Sequence, residues 1–467
     1  MSDPIHFERR EHIAVLTVDN PPVNALSRGI PEAIAAAIQR ANQDDEVQAI
    51  ALIGAGKTFM AGADIREFTG GDPTEYLMTL ATCNKTVEDS AKPVVAAIHG
   101  TALGAGLELA LAAHYRIISE TAQVGQPEVK LGLIPGAGAT QRLPRIAGAA
   151  KALEMCVYGE SLRAPQAFAQ HIVDQVIPAD RDFLNAALQF ARGVVGLPFE
   201  RTCNKTVQAD STLFANARKR ATEKLVGQTA PLHVIEAIEA SLRLPFDEGL
   251  VRERELFAAC LKEQAPALIY LFFAERAAAK LTASPQTVSD SHAGIIFASH
   301  PDPELRKLNA LIYLDHPGTR LVEMVRGSDT PDTVVASAIA TARQRGKTPV
   351  VTRDFVGDRL VRRYNFENDA LVREGMPRKA VLHALQAFGM PSIRPLNGDG
   401  SPDGSREMAQ KTILSVANEG EKIVKENLVE RASDIDVLFV LGYGFPAWRG
   451  GPMYFASMHE QKETQKE

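Results

Sequence analysis

Residues Gly100–Arg142 read GTALGAGLELALAAHYRIISETAQVGQPEVKLGLIPGAGATQR, and the placing of two carboxylates within this stretch decides how the chain is understood. Glu108 lies on LELALAA, an apolar helix pattern opened by Gly104-Ala105-Gly106. Glycines at a helix start let backbone or ligand approach closely, and leave free N–H groups at the positive end of the helix dipole. An ionised carboxylate among leucines and alanines is costly unless it is paired or chemically employed. Glu128 follows Pro127 in a Gly/Pro-punctuated segment, the kind of loop that shapes a site on a rigid scaffold. Either glutamate alone is most simply a solvated or salt-bridged residue. Two together can hold one water and divide the roles of base and acid, because an apolar pocket and mutual repulsion push their pKa values apart.

Composition excludes several function classes. A chain of 467 residues is ample for large cores, and its length predicts roughly two to four domains. Hydrophobic residues at 45% and charged residues at 23% describe an ordinary globular protein. A net charge of −6 gives no basic footprint for nucleic acid. Cys83, Cys156, Cys203 and Cys260 show no metal or CxxC spacing and are expected to be reduced thiols, with no metal bound. The start MSDPIHFERR lacks a signal-peptide pattern, the apolar run Leu268–Ala274 is far too short for a membrane span, and the end ETQKE is no peroxisomal address. A cytoplasmic protein with no membrane partner is the expectation. Gly56-Lys57-Thr58 and Gly346-Lys347-Thr348 imitate phosphate loops, but the required first glycine is Ala51 in one and Thr341 in the other, so the backbone cradle would be missing.

Outward from the central stretch, HFERR and IAVLTVDN alternate as two strands, and Ser27 is the predicted N-cap of a helix over Arg28–Gln43. Val47–Ala55 and Val94–Gly100 read as buried strands, with a helix from Pro73 to Ser90 between them. From Ala149 to Lys280 the pattern is helical, and its apolar stripes are core or interface by default. The basic run Arg218–Lys224 reads as a solvated helix face.

GTALGAGLELAL and GQPEVKLGLIPGAGATQRLPR, together with KTFMAGADIREF at Lys57–Phe68, resemble the enoyl-CoA hydratase/isomerase (crotonase) family in motif order and spacing. The resemblance implies an α/β fold: a ClpP/crotonase-like spiral core with a helical C-terminal extension. It implies that Glu108 and Glu128 hold a water, with Glu108 mainly as base and Glu128 protonating C2 of a trans-2-enoyl-CoA. The N–H groups of Ala63 and Ala105 would form the oxyanion hole, and Ala61, Ala63, Asp64, Ile65 and Arg66 would line the thioester and CoA side. Where the family often has glycine this chain has Ala105, which keeps the N–H but adds a methyl. Hydration would need no cofactor besides the coenzyme A of its substrate. A secondary Δ3–Δ2 isomerase activity and a homo-oligomeric state are both compatible with the resemblance.

LPFDEGLVRERELF and FFAERAAAK narrow the resemblance to multifunctional β-oxidation enzymes, in which a hydratase is fused to a 3-hydroxyacyl-CoA dehydrogenase. Here the dehydrogenase half departs from the pattern. No G-x-G-x-x-G follows a strand, so nothing seats a dinucleotide pyrophosphate, and NAD binding is not expected. Glu323 in RLVEMV matches the family glutamate, but the position of its histidine partner holds Leu311 or, with a gap, Tyr313. His316 is displaced beside Pro317, and Asp358 replaces the family asparagine. The expected domains are a crotonase core over 1–195, a helical extension and linker over 196–282, a truncated Rossmann remnant over 283–355, and a partial, mostly helical dehydrogenase domain over 356–467. A Gly/Ser/Asp loop at Asn397–Glu407 interrupts the last. The reading is thus a hydratase with an inactive dehydrogenase remnant. A working bifunctional enzyme and a non-catalytic acyl-CoA-binding protein are the competing readings.

Overall fold

The computed structural model describes residues 4–70, 72–210, 212–280, 295–308, 310–391 and 405–464. Most of the expected loop at 397–407 lies outside the described residues, as does the boundary expected at 282/283. The chain divides into two compact units, Met1–Pro266 and Ala267–Glu467, so the helix Ala265–Ala278 sorts almost wholly with the second unit.

In the first unit the alternating N-terminal residues form an antiparallel hairpin of β1 (Ile5–Arg10) and β2 (Ile13–Val18). β3 (Ala49–Gly54), β4 (Val94–Ile98), β5 (Thr101–Leu103), β6 (Tyr115–Ser119), β7 (Gln123–Gly125), β8 (Ser161–Arg163) and β9 (Gln175–Ile177) follow. The main sheet runs β1-β2-β3-β4-β6-β9 and is parallel beyond the first hairpin, while β5-β7-β8 make a small second sheet. Every residue of β3 and β4 is buried, which is why both read as continuous apolar runs rather than alternating ones. Ala187, Leu188 and Ala191 of the helix Phe183–Gly193 pack on Ile13, Val15, Ala51 and Ile117 of this sheet.

The helix expected from Ser27 begins later, over Ile30–Gln43, with Gly29 at the N-cap in the left-handed region (φ 88°). Ser27 is otherwise engaged: its Oγ donates to Asp64 Oδ2 at 3.1 Å, tying the two segments together. Glu32 instead accepts from the Gly29 N–H at 3.0 Å and supplies the cap.

In the second unit β10 (Ile295–Ala298), β11 (Leu311–Asp315), β12 (Leu321–Val325) and β13 (Thr348–Thr352) form a four-stranded mixed sheet. β10–β11 and β12–β13 are parallel and β11–β12 antiparallel. The helix Asp332–Gln344 lays Val335, Ala338, Ile339 and Ala342 on Leu311, Tyr313, Val322 and Met324. A separate helical core gathers Leu360, Tyr364, Leu385, Phe388, Ile413, Val416, Ile435 and Phe439. Among the described residues of the chain, no single helix is long and apolar enough to cross a membrane.

The polar centre of the first unit is Arg142, whose guanidinium grips Glu88 through Nη2 (2.7 Å) and Nε (3.1 Å) with both side chains almost fully buried. Glu88 also accepts from the Cys203 N–H at 2.8 Å. Removing one partner strands a buried charge. Glu88→Ala is therefore expected to lower unfolding free energy by about 3–5 kcal/mol in urea titration, and the double change with Arg142→Met should recover part of it. A loss under about 1 kcal/mol would show that the pair is solvated in solution.

Candidate active site

Gly104 sits at φ 52° and ψ −128°, at the mouth of the helix Ala105–Ala112. Two residues on, a methyl at Gly106 would lie 2.1 Å from the Met60 carbonyl, so this helix start is pressed directly on the Met60–Ala63 backbone. On the first turn, Glu108 turns inward with its residue 3% exposed. Its Oε1 accepts from the N–H groups of Ala137 (2.9 Å) and Ala139 (3.0 Å), where the helix Ala139–Ala147 begins. Burial raises the Glu108 pKa, and the two amides and Arg142 oppose that rise.

Glu128 opens a short 3-10 turn, Glu128–Leu131, and is partly buried. A methyl group at Gly104 would come within 2.9 Å of its Oε1, so the glycine makes room for the carboxyl at the helix mouth. The buried Gln126 amide, oriented by its neighbours, donates to Glu128 Oε1 at 2.8 Å and Oε2 at 3.1 Å. Burial first, and then Glu108 and Glu253, hold the Glu128 carboxyl well above the usual carboxylate range. One carboxyl is thus stabilised as an anion by peptide amides, while its neighbour is pressed toward the neutral acid.

The Ala61–Ala63 strand lies against Val23–Leu26: Ala61 N–H donates to the Val23 carbonyl (3.1 Å) and Leu26 N–H to the Gly62 carbonyl (2.9 Å). The N–H groups of Ala63 and Ala105 take no acceptor among the described residues. Gly62, held at φ 111°, would meet the Leu103 carbonyl at 3.2 Å through a methyl, and lies near the space beside Gly104. The structure thus gathers Glu128, Gly104 and Gly62 at one point, with Glu108 one turn further in. Ile65 is half-buried on the turn that follows. Asp64 and Arg66 pair with each other instead, at 2.7 and 2.9 Å, with Arg66 77% exposed. That pairing, chiefly the Arg66 hydrogen bonds, lowers the Asp64 pKa.

A third carboxylate escaped the sequence reading. Glu253, fully buried on the helix Phe246–Lys262, accepts from Gly138 N–H (2.7 Å), Thr140 N–H (3.0 Å) and Thr140 Oγ1 (2.5 Å). Burial and then Glu108 push it up to about 8. Its surroundings in sequence, VRERELF, look like an ordinary charged helix; a glutamate on the inward spacing shared with Leu256, Phe257 and Cys260 was the available signal.

The site thus holds two amides without an acceptor among the described residues, those of Ala63 and Ala105, and two carboxyls in unequal surroundings, Glu108 and Glu128. Residues 8–233, just under half of the chain, match the family described as Enoyl-CoA hydratase/isomerase. It is 27% identical to the peroxisomal bifunctional enzyme of Danio rerio over 666 positions, covering 96% of this chain and 92% of that protein. Since 666 positions exceed the 467 residues here, the alignment passes over roughly 200 positions that this chain lacks. Identity to the Homo sapiens peroxisomal bifunctional enzyme is 40% over 274 residues, or 57% of this chain but 37% of that one. A probable enoyl-CoA hydratase of Bacillus subtilis is 47% identical over 161 residues, 34% of this chain and 62% of the other.

In the second unit Glu323 is fully buried on β12, and its Oε1 accepts from Val356 N–H (2.8 Å), Gly357 N–H (3.3 Å) and Thr352 Oγ1 (3.2 Å). It thereby caps the helix Val356–Arg373. Asp358, on the first turn of that helix, pairs with Arg362 at 2.7 Å and lines a cavity of about 480 Å3 with Arg306, Asp354 and Arg359. Leu311 and Tyr313 are buried apolar packing residues, and His316 lies at the β11–β12 turn with its ring 5.4 Å from that of Tyr443.

Burial raises the Glu323 pKa to about 7, and its Oε2 has no partner among the described residues. A carboxyl raised in the folded state contributes stability that is complete below its unfolded pKa, near 4.3, and is lost as pH rises through 7. Glu323→Gln keeps an oxygen for the helix amides and removes the titration. It is expected to gain stability on the order of 2–3 kcal/mol over wild type at pH 8 and little at pH 4. Urea unfolding followed by the fluorescence of Trp448, the single tryptophan of the chain, reads this unit. Part of the slope will persist, since Asp436 is also raised to about 7 by burial. Equal destabilisation at both pH values would refute the assignment.

Proposed function

We propose that the N-terminal unit is an enoyl-CoA hydratase, adding water across a trans-2-enoyl-CoA in fatty acid β-oxidation. The observation that carries this reading is the Glu128 carboxyl lodged against Gly104, at a helix mouth where the Ala105 amide is free. A water held by both carboxylates loses a proton to Glu108 while its oxygen bonds to C3. The thioester oxygen takes the developing charge and accepts from the Ala63 and Ala105 N–H groups, each donor contributing about 3 kcal/mol to barrier lowering. Glu128 then delivers its proton to C2. The order of the two pKa values supports this division: the amide-bound Glu108 is the anion and the crowded Glu128 is the acid. No cofactor takes part beyond the substrate's own coenzyme A. Δ3–Δ2 isomerisation, which one carboxylate can perform, is a secondary activity of the same site.

The C-terminal unit is read as lacking dehydrogenase activity. Supporting this are the roughly 200 passed-over positions, the apolar Leu311 and Tyr313 at the histidine position, and the use of Glu323 as a helix cap. The free, largely buried cysteines agree with a reducing compartment, for which we propose the cytoplasm.

Purified protein given trans-2-enoyl-CoA and NAD+ together is expected to consume the enoyl absorbance without forming NADH. Stoichiometric NADH would overturn the reading of the C-terminal unit, and binding without turnover would make the chain an acyl-CoA-binding protein. Glu128→Gln should cut kcat by about 100-fold or more with substrate binding largely kept. The kcat profile of wild type should be bell-shaped, its acidic limb set by ionisation of Glu108 and its alkaline limb by loss of the Glu128 proton.

A further inference from the structure

Four successive peptide N–H groups at the start of the helix Ala139–Ala147 are shared alternately by two carboxylates. Ala137 and Ala139 donate to Glu108, whereas Gly138 and Thr140 donate to Glu253. The two glutamates stand 145 places apart in sequence. We propose that Glu253 is a positioning residue for the hydration site: its carboxylate clamps this turn from the side opposite Glu108 and so aims the amides that orient Glu108. The inference rests on the hydration reading above.

Three observations carry it. The peptide of Ala137 is pinned at both ends, its N–H to Glu108 and its carbonyl to Asn84 Nδ2 (2.9 Å) and Arg142 Nη1 (3.2 Å). The Gly138 N–H, on the peptide plane that carries the Ala137 carbonyl, is taken by Glu253, with Gly138 at φ 111° and its own carbonyl accepting from the Gln141 and Arg142 N–H groups. On the same helix as Glu253, Phe257 reaches the turn at Gly136 and packs its ring, tilted by 52°, 5.6 Å from that of Phe68, so one helix touches both the clamped turn and the turn after Asp64. A tilt of this turn shifts both donors on Glu108, and misplacement by about 1 Å is enough to cost 100-fold in rate.

Once ionised, above about pH 8, Glu253 also places negative charge in the same dry region. The groups facing it are Glu108, Glu128, Thr140, Gln141 and Cys156, and Glu253 is among the causes that raise Glu128 and Cys156. Removing that charge should therefore release the Glu128 proton at lower pH in the alkaline range.

The test compares wild type, Glu253→Gln and Thr140→Val in steady-state hydration of a trans-2-enoyl-CoA from pH 5 to 10, with folded fraction measured by circular dichroism. Glu253→Gln replaces one acceptor by an NH2 group facing donors. Its kcat should fall about 10- to 100-fold with KM changed less than about 3-fold, and its alkaline limb should move to lower pH. Thr140→Val removes the Oγ1 bond to Glu253 and the one Oγ1 accepts from Gln141 Nε2 at 3.0 Å, leaves the Gly138 and Thr140 amide bonds to Glu253, and should lower kcat less, in the same direction; it decides the matter if Glu253→Gln does not fold. A purely structural role predicts losses that track folded fraction with both pH limbs unmoved, and that result overturns the proposal. Wild-type hydration abolished by Glu128→Gln but indifferent to Glu253→Gln would sink this inference alone, whereas absence of wild-type hydration would sink the reading beneath it.

Discussion

The N–H groups of Ala137, Gly138, Ala139 and Thr140 have no place in a helix ladder, and the N-terminal unit is arranged so that buried carboxylates take them. The exchange is mutual. Unpaired buried amides and unpaired buried carboxylates are each costly, while an anion on a helix N-terminus satisfies both and gains from the dipole. Burial raises the Glu108 pKa, and these amides, with Arg142 (itself committed to Glu88), oppose that rise. A salt-bridged Glu108 would have been a weaker base and less accessible. Glu128 has no such amide pair among the described residues, and burial, then the charge of Glu108 and Glu253, drives it well above the usual carboxylate range.

The second unit uses the same physics for a different end. Glu323 takes the amides of Val356 and Gly357, and Asp436 takes those of Met453 and Tyr454 together with the Tyr270 hydroxyl. Both are buried acids at helix starts. Removing Glu323 would expose the start of an eighteen-residue helix whose inward face includes Leu360, Tyr364 and Leu371. A residue matched to a catalytic motif can be held in place by folding alone.

How much of this the sequence shows follows from how local each interaction is. The parallel core was legible because β3 and β4 are buried end to end and bounded by turn residues. Glu108 and Glu128 were legible because the glycines that admit them, Gly104 and Gly106, are within a few residues of Glu108, and Pro127 adjoins Glu128. The Ser27 cap misled because its hydroxyl is taken by Asp64, a partner 37 residues away. Glu253 was illegible for the same reason at greater distance: on an amphipathic helix rich in charge, nothing local separates a glutamate that bonds a turn 113 residues earlier from one that faces water. The structure also shows Arg66 exposed and paired with Asp64, where its neighbourhood to the AGADI motif suggested a contact with substrate.

That distribution bears on how this chain can lack some 200 positions of a relative's length while keeping its chemistry intact. Each partner of the site, from Val23 and Leu26 beside the Ala61–Ala63 strand to Glu253 and Phe257 on the last covering helix, lies before Pro266. The division between the units falls just after that helix.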